Sequence, residues 1–392
     1  MTPATVNITL HHSQTTVWLG RRRFNVVNCG RRWGKTVLAQ AVLADNITTG
    51  DPGAYFAPTY KMLMEVWRTF KHDFRDIIKD TNEAEKRIDF INGAQIDFWS
   101  LDNFDAVRGR KYRRVVIDEA AMVPSLEEAW TMAIRPTLSD YRGGAWFFST
   151  PKGRNYFHTL AERAKLDEAW SYWQLATSAN PYISRDEIEA ARLELPSIVY
   201  QQEYLAEFID VQGALVKREM LTYMNLSEIP KGLRIGMGVD LAISKSETAD
   251  YSSIAVVGFD KDSGRRYVLD IWRGKEGFHE IVQSVQSMAA KWEPSRINIE
   301  AVQYQVAVVQ ELLRKTSLPV RAVKPDRDKV SRFHGMLARY EQLLITHVRG
   351  LSPEFEAELL SFPHGAHDDM VDAVVYAELA AVKNTGAGVV VF

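Results

Sequence analysis

The chain has 392 residues and a net charge of −2, with 46% of its residues hydrophobic and 25% charged. This length predicts two or three globular domains, and the charge balance excludes nucleic-acid binding through an overall positive charge, so any such surface must be a local patch. The single cysteine, Cys29, excludes a disulfide within the chain; because signal-peptide and membrane-helix patterns are also missing, we expect a cytosolic protein.

Strand and helix patterns alternate through the first half of the chain. An apolar strand at 24–28 is followed by a glycine turn and a helix, and further strands are expected within 53–59, 94–100, 113–120 and 144–150. Such alternation predicts a parallel sheet covered by helices on both faces. We therefore expect a first α/β domain over residues 1–180.

The second half begins with a charged helical pattern and then returns to an α/β pattern. Residues 181–233 predict a small helical subdomain and linker, and residues 234–392 a second α/β domain. This domain opens with a strand from 234 and a hairpin around KDSG (261–264). A helix near 278–292, a strand at 296–302, a helix at 304–316, a strand at 318–323, a helix at 327–343 and a last helix from HDDMVDA (367–373) follow.

A phosphate-binding motif follows the first strand. CGRRWGKT (29–36) fits the rule GxxxxGK[ST] at Gly34, Lys35 and Thr36, but Cys29 stands at the first glycine position and Gly30 lies one place later. Backbone N–H groups of such a loop bind phosphate oxygens at the start of a helix. Lys35 would reach the β- and γ-phosphates of ATP and Thr36 would bind Mg²⁺. The alternative is an incidental glycine turn.

Two later strands end in residues that suit the same site. Asp118 and Glu119 end the strand at 113–120 in a Walker B pattern, where Asp118 would hold Mg²⁺ and Glu119 would act as general base on water. Ser149 and Thr150 end the next strand and would sense the γ-phosphate. The alternatives are solvent-exposed acids and a plain Ser-Thr-Pro turn.

Further candidates remain open between two or more interpretations. Gln14 could contact the adenine edge through its amide or be a surface glutamine. Arg31 and Arg32, inside the phosphate loop, could add positive charge to the ATP site. The segment RGRKYRR (108–114) has five basic residues. It could supply an arginine finger to a neighbour's ATP, contact the DNA backbone, or form a solvated loop.

Acidic residues recur on two strands and at one helix start in the second half. Asp240 lies in the middle of an otherwise apolar strand, Glu300 follows another apolar strand, and Asp368, Asp369 and Asp372 begin the last helix. A buried carboxylate must be paired or bind metal. Such acids could hold two Mg²⁺ or Mn²⁺ ions about 4 Å apart, the arrangement that hydrolyses phosphodiesters. Each acid alone has a simpler explanation, an N-cap for Asp368 and a surface acid for Glu300. Their order resembles the ribonuclease H-like nuclease fold.

Taken together, the motifs resemble one viral family. CGRRWGKT, VVIDEA, FFSTPKG, YQQEYLAEF, GVDLA, IEAVQYQ and HDDMVDA are similar to motifs of the large terminase subunit of tailed bacteriophages, over roughly residues 12–385. The resemblance implies a P-loop ATPase domain, a helical linker subdomain and a ribonuclease H-like nuclease domain. It implies a packaging motor in the host cytoplasm that translocates double-stranded DNA into a procapsid and cuts concatemers.

The resemblance also implies partners and residue roles. The partners are the portal protein, a small terminase subunit and further copies in a ring on the portal, with a monomer in solution. Lys35 and Thr36 would bind ATP with Mg²⁺, Glu119 would be the base, Ser149 and Thr150 would couple hydrolysis to movement, and Arg108 would be the finger. Asp240, Glu300, Asp369 and Asp368 would hold Mg²⁺ or Mn²⁺. Cys29 at the first glycine position and Glu300, where some members have Asp, are departures from the pattern.

Two other functions remain possible on the sequence alone. A cellular ATP-dependent DNA nuclease or helicase with a fused ribonuclease H-like domain would use the same two sites, although helicases usually carry two ATPase cores and one is found here. A non-enzymatic nucleic-acid adaptor could retain both folds, but the intact Lys35, Glu119 and nuclease acids argue against it.

Overall fold

The computed structural model describes residues 6–209, 213–241, 251–300, 306–325 and 328–382. The chain divides into two compact units, Met1–Asp210 and Val211–Phe392. Within the described part of the chain, none of the helices combines the length and apolar character needed to cross a membrane.

The first unit is built on an eight-stranded sheet. Its strands are β1 (Phe24–Cys29), β2 (Pro52–Ala57), β3 (Ile78–Asn82), β4 (Arg87–Phe90), β5 (Gln95–Ser100), β6 (Arg114–Ile117), β7 (Gly144–Ser149) and β8 (Trp170–Leu175). Their order is β3-β4-β5-β2-β6-β7-β1-β8. The strands from β5 to β8 in this order pair in parallel, which confirms the predicted parallel sheet, although β8 was not predicted. An antiparallel hairpin of β3 and β4, also not predicted, extends one edge.

Helices cover both faces of this sheet. They are α1 (His12–Leu19), α2 (Lys35–Thr48), α3 (Tyr60–Asp73), α6 (Tyr156–Leu166), α7 (Arg185–Glu194) and α8 (Ser197–Leu205), with α4 (Leu126–Glu128) and α5 (Arg135–Thr137) on either side of a π-helical stretch, Ala129–Ile134. Successive strand residues enter opposite cores, Phe56 and Phe147 on one face, Tyr55 and Phe148 on the other. The central strands are therefore apolar throughout because both of their faces are buried.

The second unit contains a seven-stranded mixed sheet. Its strands are β9 (Thr222–Met224), β10 (Arg234–Asp240), β11 (Ser252–Phe259), β12 (Arg266–Gly274), β13 (Arg296–Glu300), β14 (Val320–Val323) and β15 (Ile345–Val348), in the order β14-β13-β10-β11-β12-β15-β9. Strands β10, β11 and β12 are antiparallel neighbours, which includes the predicted hairpin, and the other pairs are parallel. The helices are α9 (Phe278–Trp292), α10 (Val306–Lys315), α11 (Lys329–Glu341), α12 (Pro353–Leu359) and α13 (Asp369–Val382).

Helix α13 lies directly against β10. A Cβ atom added to Gly238 would lie 2.1 Å from the carbonyl oxygen of Ala373, and one added to Gly236 would lie 2.4 Å from that of Ala377. Only glycine leaves room for this approach of helix to strand. The intervening residues, such as Met237, face the core on the opposite side of the sheet. The start of α13 is thereby positioned near the end of β10.

Candidate nucleotide and metal sites

The predicted phosphate loop is a turn between β1 and α2. Gly34 immediately precedes α2 and has a φ of 108°, and Arg32 has a φ of 62°. Both values lie in the left-handed region, which a glycine adopts without strain. A Cβ atom at Gly34 would lie 2.6 Å from the amide nitrogen of Gln14. The glycine that precedes Lys35 is therefore favoured by its backbone conformation, and a larger residue there would also displace the Gln14 amide.

The other end of the phosphate loop is held by residues far along the chain. A Cβ atom at Gly30 would lie 2.4 Å from Oγ1 of Thr177 and 2.6 Å from the carbonyl oxygen of Tyr204. The backbone N–H of Arg31 donates to the carbonyl oxygen of Glu203 at 2.7 Å, and its guanidinium pairs with the Glu203 carboxylate. These contacts give a reason for a glycine at position 30, one place later than the phosphate-loop rule expects.

Three predicted side chains meet beyond the phosphate loop. Nζ of Lys35 donates to Oγ1 of Thr150 at 3.1 Å and lies 3.4 Å from Oε1 of Glu119. Glu119 has a φ of 46°, a left-handed conformation that is unusual for a residue with a side chain. Backbone strain of this kind is most often found at functional sites. The cation of the phosphate loop, the predicted base and the predicted sensor thus share one site.

Asp118 lies buried behind Glu119. The hydroxyl of Tyr55 donates a short hydrogen bond to Oδ2 of Asp118, and the backbone N–H of Glu119 donates to Oδ1 at 3.0 Å. Burial and the neighbouring Glu119 charge raise the pKa of Asp118 to about 6. A magnesium ion at this carboxylate would favour its ionised form, so the residue fits the predicted metal-holding role. Tyr55 was not among the predicted site residues.

Ser149 has a different environment from Thr150. Its Oγ accepts a hydrogen bond from the backbone N–H of Ala121 at 3.0 Å and donates to the carbonyl oxygen of Thr150 at 2.8 Å. Oγ of Ser149 also lies 3.5 Å from Oε2 of Glu119. Ser149 therefore fastens β7 to the turn after β6, while Thr150 contacts Lys35 itself.

The remaining nucleotide-site candidates are dispersed. Gln14 is 2% exposed, which excludes its interpretation as a surface glutamine. Its amide oxygen accepts a hydrogen bond from the backbone N–H of His11 at 2.9 Å. Its amide nitrogen donates to the carbonyl oxygen of Gly34, also at 2.9 Å. In this structure Gln14 thus supports the phosphate loop. Thr36, in the first turn of α2, and Arg32 are exposed. The exposed side chain of Arg108 pairs with Asp105 at 2.9 Å, and this contact is with its own loop rather than with the phosphate loop.

The acids of the second unit converge at the end of the sheet. Asp240 and Glu300 end the adjacent parallel strands β10 and β13, and Asp369 and Asp372 lie in the first turn of α13. The pKa of Asp240 is raised well above its ordinary value, first by burial and then by the charges of Asp372, Glu300 and Asp369. Asp368 pairs with Nζ of Lys329 at 2.6 Å, and the same nitrogen lies 3.2 Å from Oδ2 of Asp372. Asp240 thus lies among the charges of Asp372, Glu300 and Asp369, and Asp368 is joined to Asp372 through Lys329.

Side chains that sequence reasoning missed fix these acids. The hydroxyl of Tyr376 donates to Oε2 of Glu300 at 2.5 Å. Arg332 pairs with Asp372 at 2.9 Å, and Lys329 lies 3.2 Å from its other oxygen. Asp369 has Arg273 as an ion-pair partner at 3.5 Å. Tyr376 lies four residues after Asp372 on the same helix face, a spacing visible in the sequence, whereas nothing in the sequence connects the basic residues with the acids.

The donor set of the acidic cluster suits a hard cation. Among the described residues, no three His, Cys, Asp or Glu side chains already stand in a closed metal-binding arrangement. The cluster nevertheless offers carboxylate oxygens, which Mg²⁺ and Mn²⁺ prefer. A divalent cation would offset the free-energy cost of burying these charges and the repulsion between them, the two effects that raise the pKa of Asp240. The residues therefore fit a divalent metal.

The chain matches two protein-family models. Residues 26–223 match "Terminase large subunit, T4likevirus-type, N-terminal" and residues 237–381 match "Terminase RNaseH-like domain". The chain is 23% identical to the large terminase subunit of Escherichia phage T5 over 275 residues, which are 65% of this chain and 60% of that protein. It is 28% identical to that of Thermus phage G20c over 245 residues, which are 51% of this chain and 48% of that protein. The matches thus span about half of these relatives' length.

Solved structures show a similar fold. The large terminase of a thermophilic bacteriophage superposes with a TM-score of 0.64 and 14% identity, covering 93% of this chain and 97% of that one. The same protein in complex with ADP gives a TM-score of 0.62 and 15% identity over 93% of this chain and 97% of that one. Together with the family models, this likeness confirms the predicted α/β fold with a ribonuclease H-like second part.

Proposed function

The chain belongs to the terminase large-subunit family, and we propose that it is a viral DNA-packaging motor with an ATPase site in its first unit and a nuclease site in its second. It hydrolyses ATP to translocate double-stranded DNA into a procapsid, and it cuts concatemeric DNA. The contact of Lys35 with both Thr150 and Glu119, at 3.1 and 3.4 Å, is the single observation that carries the ATPase half of this proposal.

The first-unit residues take the roles of a phosphate-loop ATPase. Lys35 and the backbone N–H groups of the phosphate loop hold the β- and γ-phosphates, while Glu119 orients the attacking water and accepts its proton. Thr36 and Asp118 would hold Mg²⁺, which when bound would neutralise charge on the phosphate oxygens. Thr150 senses the γ-phosphate through Lys35. The large terminase of the thermophilic bacteriophage was solved in complex with ADP, and we extend nucleotide binding to this chain.

Other nucleotide-site residues act around this centre. Ser149 transmits movement between Thr150 and the turn that carries Glu119. Gln14 holds the phosphate loop and, on exchanging its bond to Gly34, contacts the adenine. Arg31 and Arg32 add positive charge beside the phosphates, and Arg108 leaves Asp105 to act as the finger on a neighbouring subunit's ATP.

The second-unit acids form a two-metal endonuclease site. Asp240, Glu300 and Asp369 would hold Mg²⁺ or Mn²⁺, which when bound would supply activation of water and stabilisation of the leaving oxygen. Asp372 is held by Arg332 and Lys329 at the back of the site, and Asp368 joins the ligands when it exchanges its bond to Lys329. The convergence of buried carboxylates around Asp240 supports this assignment.

The family membership supports a proposal for the partners and the location of the chain. We propose that the chain is a monomer in solution, forms a ring on the portal protein of the procapsid in the host cytoplasm, and receives DNA with a small terminase subunit. The alternative, a cellular DNA nuclease or helicase, is not favoured because terminase models match both halves of the chain.

The test is plasmid cleavage with Mn²⁺ or Mg²⁺ alongside ATP hydrolysis by the wild type, Asp240→Asn and Glu119→Gln. We expect the wild type to cleave with little sequence preference. Asp240→Asn should lose cleavage and keep ATPase activity, and Glu119→Gln should do the reverse. The two variants serve as each other's controls for folding. If Asp240→Asn still cuts DNA, the acidic cluster is structural and the nuclease proposal fails.

A further inference from the structure

A cleft lined by arginines lies in the first unit. Its volume is about 310 Å³, and its basic lining residues, which we call the arginine cleft, are Arg21, Arg22, Arg23, Arg113, Arg114 and Arg142. None of the residues proposed above for ATP or metal binding lines it. The chain as a whole has a net charge of −2, so this concentration of positive charge is a local feature.

The sheet topology explains why these arginines meet. Strands β6, β7 and β1 are parallel neighbours, with Arg114 paired to Gly144 and Phe24 to Ala145. Arg23 comes directly before β1, Arg113 directly before β6 and Arg142 two residues before β7. Parallel strands begin at one edge of a sheet, so three distant chain segments contribute arginines there. The phosphate loop follows the carboxyl end of β1 and therefore lies at the opposite edge.

Carboxylates neutralise only part of this charge. Among the described residues, the ion pairs of the six arginines are those of Arg114 with Asp45 and of Arg113 with Asp51, the latter at 4.0 Å. Other guanidiniums bond to neutral carbonyl oxygens, as Arg22 does to that of Glu168 at 2.6 Å. The cleft therefore retains a strong positive potential that an anion would satisfy.

The positive potential extends to a neighbouring arginine. Burial and then the charges of Arg23 and Arg163 lower the pKa of Arg135. The guanidiniums of Arg23 and Arg135 each lie 5.0 Å from the ring centre of Phe24, so both pack against the same ring. A guanidinium that packs its face against an aromatic ring leaves the N–H groups along its edge available to donate hydrogen bonds. These N–H groups can bind the oxygens of a phosphate.

The lining favours a phosphate backbone over a protein partner. Protein interfaces are usually anchored by exposed aromatic or aliphatic side chains in their centre. The aromatic residue in the lining, Trp146, is only 2% exposed, and the remaining non-arginine lining residues are Gly143 and Gly144. A surface of guanidiniums with no apolar anchor is typical of contacts with nucleic-acid phosphates.

We propose that the arginine cleft binds the phosphate backbone of double-stranded DNA. The inference rests on the proposed function, which makes DNA the substrate of the motor, and it adds a DNA-contact surface to the ATPase unit itself. Backbone contacts of this kind carry no sequence information, as a motor that moves along any sequence requires.

The test uses the full chain with Arg22 and Arg142 both changed to Gln. Both residues are exposed and neither pairs with a carboxylate among the described residues, so the fold should persist, which the thermal unfolding midpoint checks. Binding to a short fluorescent DNA duplex is measured by anisotropy over a range of KCl concentrations. We expect Kd to rise about 5- to 30-fold and the slope of log Kd against log salt to fall by about 1 for each contact removed.

The matched control changes Arg75 and Arg192 to Gln, two arginines of the same unit that lie outside the cleft. This control removes the same charge and should leave Kd within about twofold of the wild-type value. If the wild type itself does not bind the duplex, the proposed function fails together with the inference. If the wild type binds and both double variants match it in Kd and slope, the inference alone is overturned.

Two further arms distinguish other anions. When chloride is replaced by inorganic phosphate at equal ionic strength, the variant with Arg22 and Arg142 changed to Gln should still have a higher Kd for the duplex than the wild type. If the two Kd values become equal, the cleft binds free phosphate and the proposal is overturned. An acidic peptide of glutamates is titrated in parallel. If the cleft variant loses peptide binding but keeps DNA binding, the cleft is a protein-docking surface and the proposal is wrong.

Discussion

Lys35 and Glu119 form an ion pair across the candidate nucleotide site, with Nζ 3.4 Å from Oε1. The proposed phosphate-binding cation and the proposed general base are therefore paired with each other when no nucleotide is bound. We expect the phosphates of ATP to compete with Glu119 for Lys35. Thr150, 3.1 Å from the same nitrogen, is placed to respond when that exchange occurs.

This pairing predicts opposite effects of two substitutions. Lys35→Ala should weaken ATP binding by about 10- to 100-fold, because a hydrogen bond to a charged group contributes roughly 1.5–3 kcal/mol. Glu119→Gln should bind ATP as tightly as the wild type or more tightly, while its turnover falls by about 100-fold or more. Calorimetric ATP titration and phosphate release measure the two effects. Equal turnover in Glu119→Gln and wild type would contradict the assignment of the base.

The Tyr376 hydroxyl predicts a selective effect on DNA cleavage. Tyr376→Phe removes the 2.5 Å hydrogen bond to Glu300 but keeps the ring on which Arg332 packs. Glu300 then loses its orientation, and we expect plasmid cleavage to slow by about tenfold, corresponding to roughly 1.4 kcal/mol. ATP hydrolysis should be unchanged. Tyr267→Phe, a buried tyrosine on β12, is the matched control and should cleave normally. Undiminished cleavage in Tyr376→Phe would remove this tyrosine from the site.

The contact of α13 with β10 predicts a strong effect of a single methyl group. In Gly238→Ala the new Cβ would lie 2.1 Å from the Ala373 carbonyl oxygen, a backbone atom that cannot rotate away. We expect a loss of about 1–3 kcal/mol in the free energy of unfolding, and slower DNA cleavage because Asp369 shifts relative to Asp240. Urea denaturation and plasmid cleavage measure the two effects.

Gly335 supplies the control for this substitution. It lies within α11, and a Cβ atom there would meet no atom within 4 Å. Gly335→Ala should therefore stabilise the chain by about 0.4–1 kcal/mol, since alanine favours a helix over glycine. If both alanine variants changed stability in the same direction, steric exclusion would not be the reason for Gly238.

Buried His347 predicts a loss of stability in acid. Burial lowers its pKa from 6.5 to about 4, and Tyr340 shares a 2.9 Å hydrogen bond with its Nε2 atom. Between pH 6.5 and about 4 the unfolded chain binds more protons at this residue than the folded chain does. The stability that neutral His347 contributes is thus present above pH 6.5 and is lost as pH falls toward 4. From pH ~7.5 to pH ~5 this loss should reach about 2 kcal/mol.

Urea denaturation at the two pH values checks the effect, with His347→Gln compared with the wild type. The glutamine can still bond to Tyr340 but does not titrate. The free energy of unfolding of His347→Gln should therefore fall by about 2 kcal/mol less than that of the wild type between the two pH values. His279→Gln, which changes an exposed histidine of the same unit, should retain the wild-type dependence. Parallel pH profiles for His347→Gln and wild type would rule out the histidine as the cause.

The nucleotide site was predictable because short contiguous motifs carry it. Lys35 begins α2 after the turn that follows β1, and Asp118 and Thr150 follow two neighbouring strands of the same parallel sheet, so their meeting follows from topology. Tyr55 was not predicted, since its hydroxyl reaches Asp118 from β2 through a contact that no spacing reveals. The sequence did not decide whether Gln14 contacts adenine or is a surface residue. Its burial and its hydrogen bond to Gly34 depend on tertiary packing, which the sequence pattern does not show.

The acidic cluster was predictable in part. Asp240, Glu300 and Asp369 were expected from their strand and helix positions, and the structure places them together. Asp368 precedes α13 and pairs with Lys329, whereas Asp372 is one turn further into the buried face of that helix and contacts both Lys329 and Arg332, an arrangement that the sequence did not reveal. The short strands β3, β4, β9 and β15 were missed because three to five residues carry too little periodicity to be recognised. The six-residue strand β8 was missed as well.

The contacts of Gly30 and Arg31 with Tyr204 and Glu203 have a consequence for biosynthesis. A ribosome adds residues 30 and 31 long before it adds residues 203 and 204, and chains fold progressively from the N-terminus as they emerge. The phosphate loop of a nascent chain therefore lacks one of its walls until α8 has left the exit tunnel. We therefore expect a chain that stalls before α8 to bind ATP more weakly than a chain that includes it.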